Sequence, residues 1–400
     1  MLEFLCCFFI PLAWARAPRR MTAGAAVWLL YLLAAREEPL AILRVLPQCA
    51  PLVAVTLWLT HGAFLALPWL VTWSPLQRSA MRRGLGFLAA LLGGLVPPWG
   101  LLGWLHPLTL SGWLFPAWGW AGLAATTALL LSLALGARGW ALSLMLAALS
   151  ANALFRPPPV PPHWVALATQ LPRMAASDAA SRMERQAALM ALVARQLPSA
   201  PSVLLLPEEI AGPWTAAEDF WWQPVFAAAR ARGITLILGA QRVEGWGLRN
   251  GALIVTPTQM RWQLARQPIP LAEWNPFSDR MAPSGWFAGA SGLNSGMTDI
   301  DGTRVLFSFC YEDLLVLPQL VSAGFADLGT DPKLDKLGTD PKLGSVPNLS
   351  NLGSVPKVIV GMANLWWAGG MAEPWVQQQM LAGWGRLWGI PVVRAVNGPA

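Results

Sequence analysis

Six apolar runs fill the first 155 residues, at about 2–15, 21–35, 51–73, 84–105, 113–136 and 139–155, with only short connections between them. A helix that crosses a membrane needs roughly 20 apolar residues. The runs 51–73, 84–105 and 113–136 reach that length, the first two are short and the last is borderline. Charge tightens the constraint. Residues 1–155 hold nine Arg, no Lys and three acids (Glu3, Glu37 and Glu38), whereas the rest carries 18 acids against 19 bases. Most of the net charge of +7 therefore lies on connections between apolar runs, which is a membrane pattern. No basic groove with stacking aromatics is evident, so the lipid bilayer is the expected partner and nucleic acid is not.

The connections give an orientation. Arg16, Arg19 and Arg20 lie in the first, Arg78, Arg82 and Arg83 in the third, and Arg138 in the fifth. The second balances Arg36 and Arg44 against Glu37 and Glu38, and the fourth, around His106 to Ser111, has no charge. Positive connections stay in the cytoplasm, so six spans place everything after Arg156 on the far side. A cleaved signal would carry its positive charge before the apolar run. Here Glu3 precedes the first run and the arginines follow it.

Residues 156–163 open with Arg156-Pro157-Pro158-Pro159-Val160-Pro161-Pro162, a stiff extended linker. Beyond it, 164–400 alternates strand signals (164–169, 203–206, 234–239, 252–256, 304–309, 357–361, 391–396) with helix signals (180–196, 215–232, 313–324, 371–388). That alternation predicts an α/β domain with sheets covered by helices. Residues 328–356 do not belong to it: Leu328-Gly-Thr-Asp-Pro-Lys-Leu334 returns at 337–343, and Leu343-Gly-Ser-Val-Pro347 at 352–356. This reads as a low-complexity surface insert.

Within the α/β part, Cys310 ends the apolar run Arg304–Phe309 just before a predicted helix, where a thiol can be presented to a substrate. Glu208 ends the similar run Val203–Pro207. A carboxylate and a thiol at two strand ends can act as base and nucleophile. The other reading of a lone cysteine is inert packing, and that of a lone glutamate is a solvated loop carboxylate.

Leu206-Pro207-Glu208, Ile269-Pro270-Leu271-Ala272-Glu273, Cys310-Tyr311-Glu312 and Asn364-Leu365-Trp366-Trp367 fall in an order and spacing similar to the carbon–nitrogen hydrolase (nitrilase) superfamily. Multiple spans before such a domain resemble apolipoprotein N-acyltransferase. Phe115-Pro116-Ala117-Trp118-Gly119-Trp120 and Arg266-Gln267-Pro268-Ile269-Pro270 look closer still to conjugal-transfer membrane proteins of plasmids, relatives of that acyltransferase. The resemblance implies a nitrilase-like αββα sandwich after an amino-terminal multi-span helical membrane domain. It also implies a Glu–Lys–Cys triad, with Glu208 as base, Cys310 as nucleophile and Glu273 as a second glutamate near the thiol. Implied partners are a phospholipid or lipoprotein substrate and proteins of the conjugation apparatus. The implied place is the bacterial inner membrane, with the α/β domain in the periplasm.

Three features depart from the family pattern. No lysine stands between Glu208 and Cys310, and the family's position falls on Ala265, beside Arg266. Replacement of that cation by Arg266 and loss of the cation both remain open, because a planar guanidinium does not copy an ammonium. The helix after the Asn-Leu-Trp-Trp segment lacks the family's glutamate, and no closing apolar span follows.

Other chemistries have no support. The three histidines, His61, His106 and His163, offer no Ser-His-Asp set and no metal cluster, and Cys6, Cys7 and Cys49 lack zinc spacing. No phosphate-binding glycine loop occurs, so no cofactor and no metal is expected. An active carbon–nitrogen hydrolase or acyltransferase, an inactive membrane scaffold of the transfer machinery, and an apolipoprotein N-acyltransferase are the functions to be distinguished.

Overall fold

The computed structural model describes residues 2–75, 78–172, 179–199, 201–244, 247–270, 295–328 and 356–398. Contacts divide the chain into two units, Met1–Pro158 with Asp313–Leu317 and Gly370–Ile390, and Pro159–Glu312 with Pro318–Gly369 and Pro391–Ala400. The repeat at 329–355 lies outside the described residues.

In the first unit each apolar run contributes a helix. These and their connections are α1 (Leu2–Arg16), α2 (Arg20–Ala34), α3 (Glu38–Val45), α4 (Pro51–Thr72), α5 (Ala80–Gly93), α6 (Trp99–Leu102), α7 (Ser111–Leu114), α8 (Gly119–Leu135) and α9 (Arg138–Leu154). Among the described residues only α4 is by itself long and apolar enough to cross a membrane. The segment Pro107–Leu114 with α8 passes the same test together but is bent by 118°. The run 84–105, expected to be continuous, stops being helical at Gly93. Pro97 and Pro98 follow within a turn, and neither can donate to a helix nor leave its predecessor helical. Trp14, Trp69 and Phe87 pack edge to face at the centre of the unit, with ring centroids about 6 Å apart. The outward residues are also apolar: Leu52, Val53 and Val71 of α4, Leu85 of α5, and Trp140, Leu142 and Leu149 of α9 are exposed. Exposed apolar residues on that scale mark an interaction surface.

Among its described residues the second unit holds eleven strands, β1 (Trp164–Ala166), β2 (Ala168–Thr169), β3 (Val203–Leu205), β4 (Pro213–Trp214), β5 (Thr235–Glu244), β6 (Gly247–Val255), β7 (Met260–Leu264), β8 (Met297–Ile300), β9 (Thr303–Phe309), β10 (Val358–Asn364) and β11 (Val392–Asn397). They form one sheet in the order β1-β3-β5-β6-β7, with β4 beside β5, and a second in the order β2-β11-β10-β9-β8. Alternation decides how they meet. Val203, Leu205, Ile237 and Ile254 of the first sheet share a core with Val305, Phe307, Val360 and Val393 of the second. The opposite faces point to helices. Helices α10 (Ala179–Gln196) and α11 (Ala216–Arg230) bury Leu189, Val193, Trp222 and Phe226 against Leu204, Leu236 and Leu238. Helix α12 (Val316–Leu328) reaches the outer face of β9 through Gln319, which donates to Ser308 Oγ at 3.2 Å. The layers are therefore helix, sheet, sheet, helix.

Helix α13 (Glu373–Trp388) belongs to the first unit. It lies so close to α7 that a Cβ on Gly112 would fall 1.7 Å from the Gly383 carbonyl oxygen. Arg386 donates to Gly112 O at 3.2 Å and to Asn152 Oδ1 at 2.6 Å, and its guanidinium lies over the Trp113 ring. At the start of the helix, Ala372 N–H donates to Glu37 Oε2 at 2.7 Å. Burial, with Glu37, Glu38 and Glu3 close by, holds the Glu373 carboxyl up at about 7. The folded protein then binds this proton more tightly than the unfolded chain does. Stability falls as pH rises from the ordinary carboxyl range through that value, and it does not return above it. Glu373→Gln mimics the neutral acid, so it is expected to raise the melting temperature at about pH 8 and to leave it nearly unchanged at about pH 5. Equal melting shifts at both pH values would refute the coupling.

Candidate active site

Glu208 and Cys310 both stand at carboxyl ends of parallel strands, β3 in one sheet and β9 in the other. The turn carrying Glu208 runs close over β5. A Cβ on Gly239 would fall 1.9 Å from the Pro207 carbonyl oxygen and 2.6 Å from Glu208 Cα, so only glycine fits there. Glu208 is buried and accepts hydrogen bonds on both oxygens, from Asn250 Nδ2 on Oε1 and from the Asn364 backbone N–H on Oε2 at 3.1 Å.

Cys310 opens a tight 3-10 turn, Cys310–Leu314, directly after β9. Its φ of 36° is in the left-handed region that side chains other than Gly, Asn and Asp rarely occupy. Strain of this kind concentrates where a side chain must be aimed. The residue is 3% exposed and packs with Ala363, Leu365 and Ala368, with Trp367 against the cluster.

The tip of β10 links the carboxylate to the thiol. Parallel register sets Met362 beside Phe309, so Ala363 follows beside Cys310 and Asn364 next along holds Glu208. Asn364 is itself fixed by Asn397, whose Nδ2 donates to Asn364 Oδ1 at 2.8 Å and whose carbonyl accepts from Leu365 N at 2.6 Å. Asn397 Oδ1 in turn accepts from Thr169 Oγ1 at 2.8 Å and Leu171 N at 2.7 Å. Three strands, β2, β10 and β11, are thus tied together at the site through one amide.

Arg266 stands one residue beyond the position that spacing gives the family's lysine. It is buried and pairs with the buried Glu312, donating from Nε at 3.1 Å and from Nη2 at 2.9 Å to Oε2. Its Nη1 donates to Pro318 O at 2.8 Å and to Ser322 Oγ at 2.5 Å, and Nη2 also reaches Phe307 O at 3.3 Å. Those five interactions match the five N–H donors of a guanidinium. Glu312 Oε1 accepts from the backbone N–H groups of Arg266 and of Gln267, the latter at 3.0 Å. The pair therefore pins the segment after β7 to the turn after Cys310. Glu273 lies outside the described residues.

Asn250 and Asn397 were not singled out from the sequence. Asn250-Gly251 reads as a turn dipeptide, yet it continues β6, where Asn250 lies opposite Gln241. Among the described residues no group of His, Cys, Asp and Glu could hold a metal ion.

No family model matches the chain. The conjugal transfer protein TraB of Agrobacterium fabrum (strain C58) is 30% identical over 401 residues, covering 97% of this chain and 86% of that protein. A probable conjugal transfer protein TraB of Sinorhizobium fredii is 27% identical over 391 residues, covering 97% and 90%. Among solved structures, an amidase from Nesterenkonia sp. aligns over 58% of this chain and 74% of its own, at 14% identity and a TM-score of 0.35. A CN-hydrolase superfamily protein from Xanthomonas campestris covers the same shares at 15% identity and a TM-score of 0.34.

Proposed function

The chain belongs to the family of conjugal transfer protein TraB, and from that premise we propose a membrane protein of plasmid transfer whose αββα unit is a Cys-dependent amidase or N-acyltransferase. The observation that carries this reading is the convergence of Glu208 and Cys310 on the tip of β10. In the proposed reaction Glu208 takes the thiol proton as sulfur attacks an acyl carbonyl. The proton passes to the leaving group and a thioester remains. An amine or water then gives a proton to Glu208 and attacks the thioester, and the released sulfur recovers that proton. The acyl donor is a phospholipid or a lipoprotein, which brings the substrate from the bilayer.

A test uses the purified full chain and an activated ester as acyl donor. A mass increase equal to the acyl group on the peptide containing Cys310, absent in Glu208→Gln and faster than any modification of Cys49, is the expected result. Acylation at Cys49 with none at Cys310 would overturn the reading.

A second reading, an inactive scaffold within the transfer apparatus, rests on Arg266. Its donors are engaged by Glu312, Ser322 and two carbonyls, and the chain's four lysines all lie beyond Cys310. An oxyanion would then lack the family's cation.

For the first unit we propose six membrane passes, in the inner membrane, with arginine-bearing connections in the cytoplasm and the α/β unit in the periplasm. The exposed apolar faces of α4, α5 and α9 support this. A phosphatase reporter fused after Pro162 is expected to be active, and a reporter that works only in the cytoplasm is expected to be silent there. The reverse pair of results would overturn the orientation.

A further inference from the structure

The first unit contains a cavity of about 280 Å³ whose lining includes Ala15, Arg16, Arg83, Ser132, Gly136 and Arg138. Three arginines that are far apart in sequence, from the last turn of α1, the first turn of α5 and the start of α9, thus line one concavity. They come from the first, third and fifth connections between apolar runs, the ones that alternation of charge assigned to one side of a bilayer. No carboxylate pairs with any of the three among the described residues. The acids of the unit gather elsewhere. Glu3 is at the opposite end of α1 from Arg16, about 20 Å away at the rise of an α-helix.

Arg83 is the built part of the site. It is 9% exposed, and its Nη2 donates to Ala15 O at 3.1 Å and to Ala134 O at 3.0 Å. It therefore joins the carboxyl ends of α1 and α8. Its Nε is buried without a hydrogen-bond partner. The simplest account of Arg83 is a cap for two helix ends. Each such end carries roughly half a negative charge. Two ends offset about one of the three guanidinium charges, so the cavity keeps an excess positive charge with an unused donor beside it.

We propose that this cavity binds the phosphate of an anionic phospholipid headgroup. Arg83 at the base supplies the fixed charge, and the exposed Arg16 and Arg138 close on the phosphate from the rim. A phosphodiester carries one negative charge and acceptor oxygens that a guanidinium matches in pairs. The apolar outer surface of the same unit accommodates acyl chains. The leaflet that faces arginine-bearing connections is also the one richer in anionic lipid. The inference depends on the unit being embedded in a membrane, and it is independent of whether Cys310 reacts.

The test counts lipids retained by the full chain in neutral detergent, by native mass spectrometry. Phosphatidylglycerol, phosphatidylcholine and inorganic phosphate are the probes. Phosphatidylglycerol is expected to bind at least about tenfold more tightly than phosphatidylcholine, with the preference shrinking as salt screens it. Arg16→Gln with Arg138→Gln changes only exposed rim residues, so the protein should keep its melting temperature and lose the preference. Arg83→Lys keeps a charge at the base but loses the fork, and it should weaken binding less than Arg83→Gln. Equal binding of the two lipids, or a preference unchanged in the rim double variant, would overturn the proposal. So would complete displacement of phosphatidylglycerol by inorganic phosphate, because the ligand would then be a soluble anion.

Discussion

Cys310→Ala is expected to reduce plasmid transfer to the level of a strain that lacks the protein, while the variant accumulates and melts like the parent. The change removes one sulfur from a small apolar cluster of Ala363, Leu365 and Ala368, so its cost to folding is small. Its cost to chemistry is the whole covalent path. Where catalytic groups act as a unit, removing one loses on the order of 10⁴-fold or more in rate. Glu208→Gln should come close to that, because an amide keeps the size and one of the two accepted hydrogen bonds but cannot take a proton, and general base catalysis contributes about 10²–10⁴-fold. Transfer by Cys310→Ala at the parent's frequency would make the α/β unit a scaffold. The acylation experiment separates the two cases at the protein level, and transfer separates them in the cell.

Arg266→Ala is expected to lower the stability of the second unit by about 3–5 kcal/mol, the usual cost of stranding a buried charge after its partner is removed. At about 2–4 °C per kcal/mol for a domain of this size, that is a melting shift of roughly 10 °C, read by thermal unfolding in detergent. Arg266→Lys should lie between Ala and the parent. An ammonium has three donors on a flexible stem and cannot serve Glu312, Ser322, Pro318 O and Phe307 O together. Glu312→Gln should cost less than Glu312→Leu, because an amide oxygen still receives the backbone N–H groups of Arg266 and Gln267. If instead Arg266→Lys melts like the parent and raises transfer, Arg266 takes the place of the family's lysine, and the pairing with Glu312 is incidental.

The contrast between these two predictions reflects what sequence can and cannot carry. Strand ends are local: an apolar run that stops at Pro207-Glu208 or at Cys310 places those side chains wherever the sheets put them. The strands at 203, 235, 303, 358 and 392 and the helices at 179, 216, 316 and 373 lie within a few residues of their sequence signals. Pairing is not local. Arg266 and Glu312 are 46 residues apart, and spacing to Pro270 gives Arg266 a position without giving it a partner. Asn397 sits 33 residues from Asn364, and only parallel register brings them level. The short strands β4, β7 and β8 were also invisible. Each has two to five residues, too few for alternation to declare itself. In the first unit the apolar runs were legible, but the end of α5 at Gly93 was governed by the prolines that follow it.

The place of α13 has a consequence for how the protein is made. The ribosome delivers the chain from its amino end, and helices α1 to α9 of the first unit emerge early. Helix α13, which belongs with them, follows β10 and precedes β11, so it arrives only after β1 to β10 have been synthesised. Until then α7 exposes Gly112, where the Gly383 backbone later seats, and Asn152 lacks its bond to Arg386. The helical unit must therefore wait, incomplete, while β1 to β10 are made. No single break in the chain can yield both units whole: a cut at the proline linker separates α13 from the helices it completes.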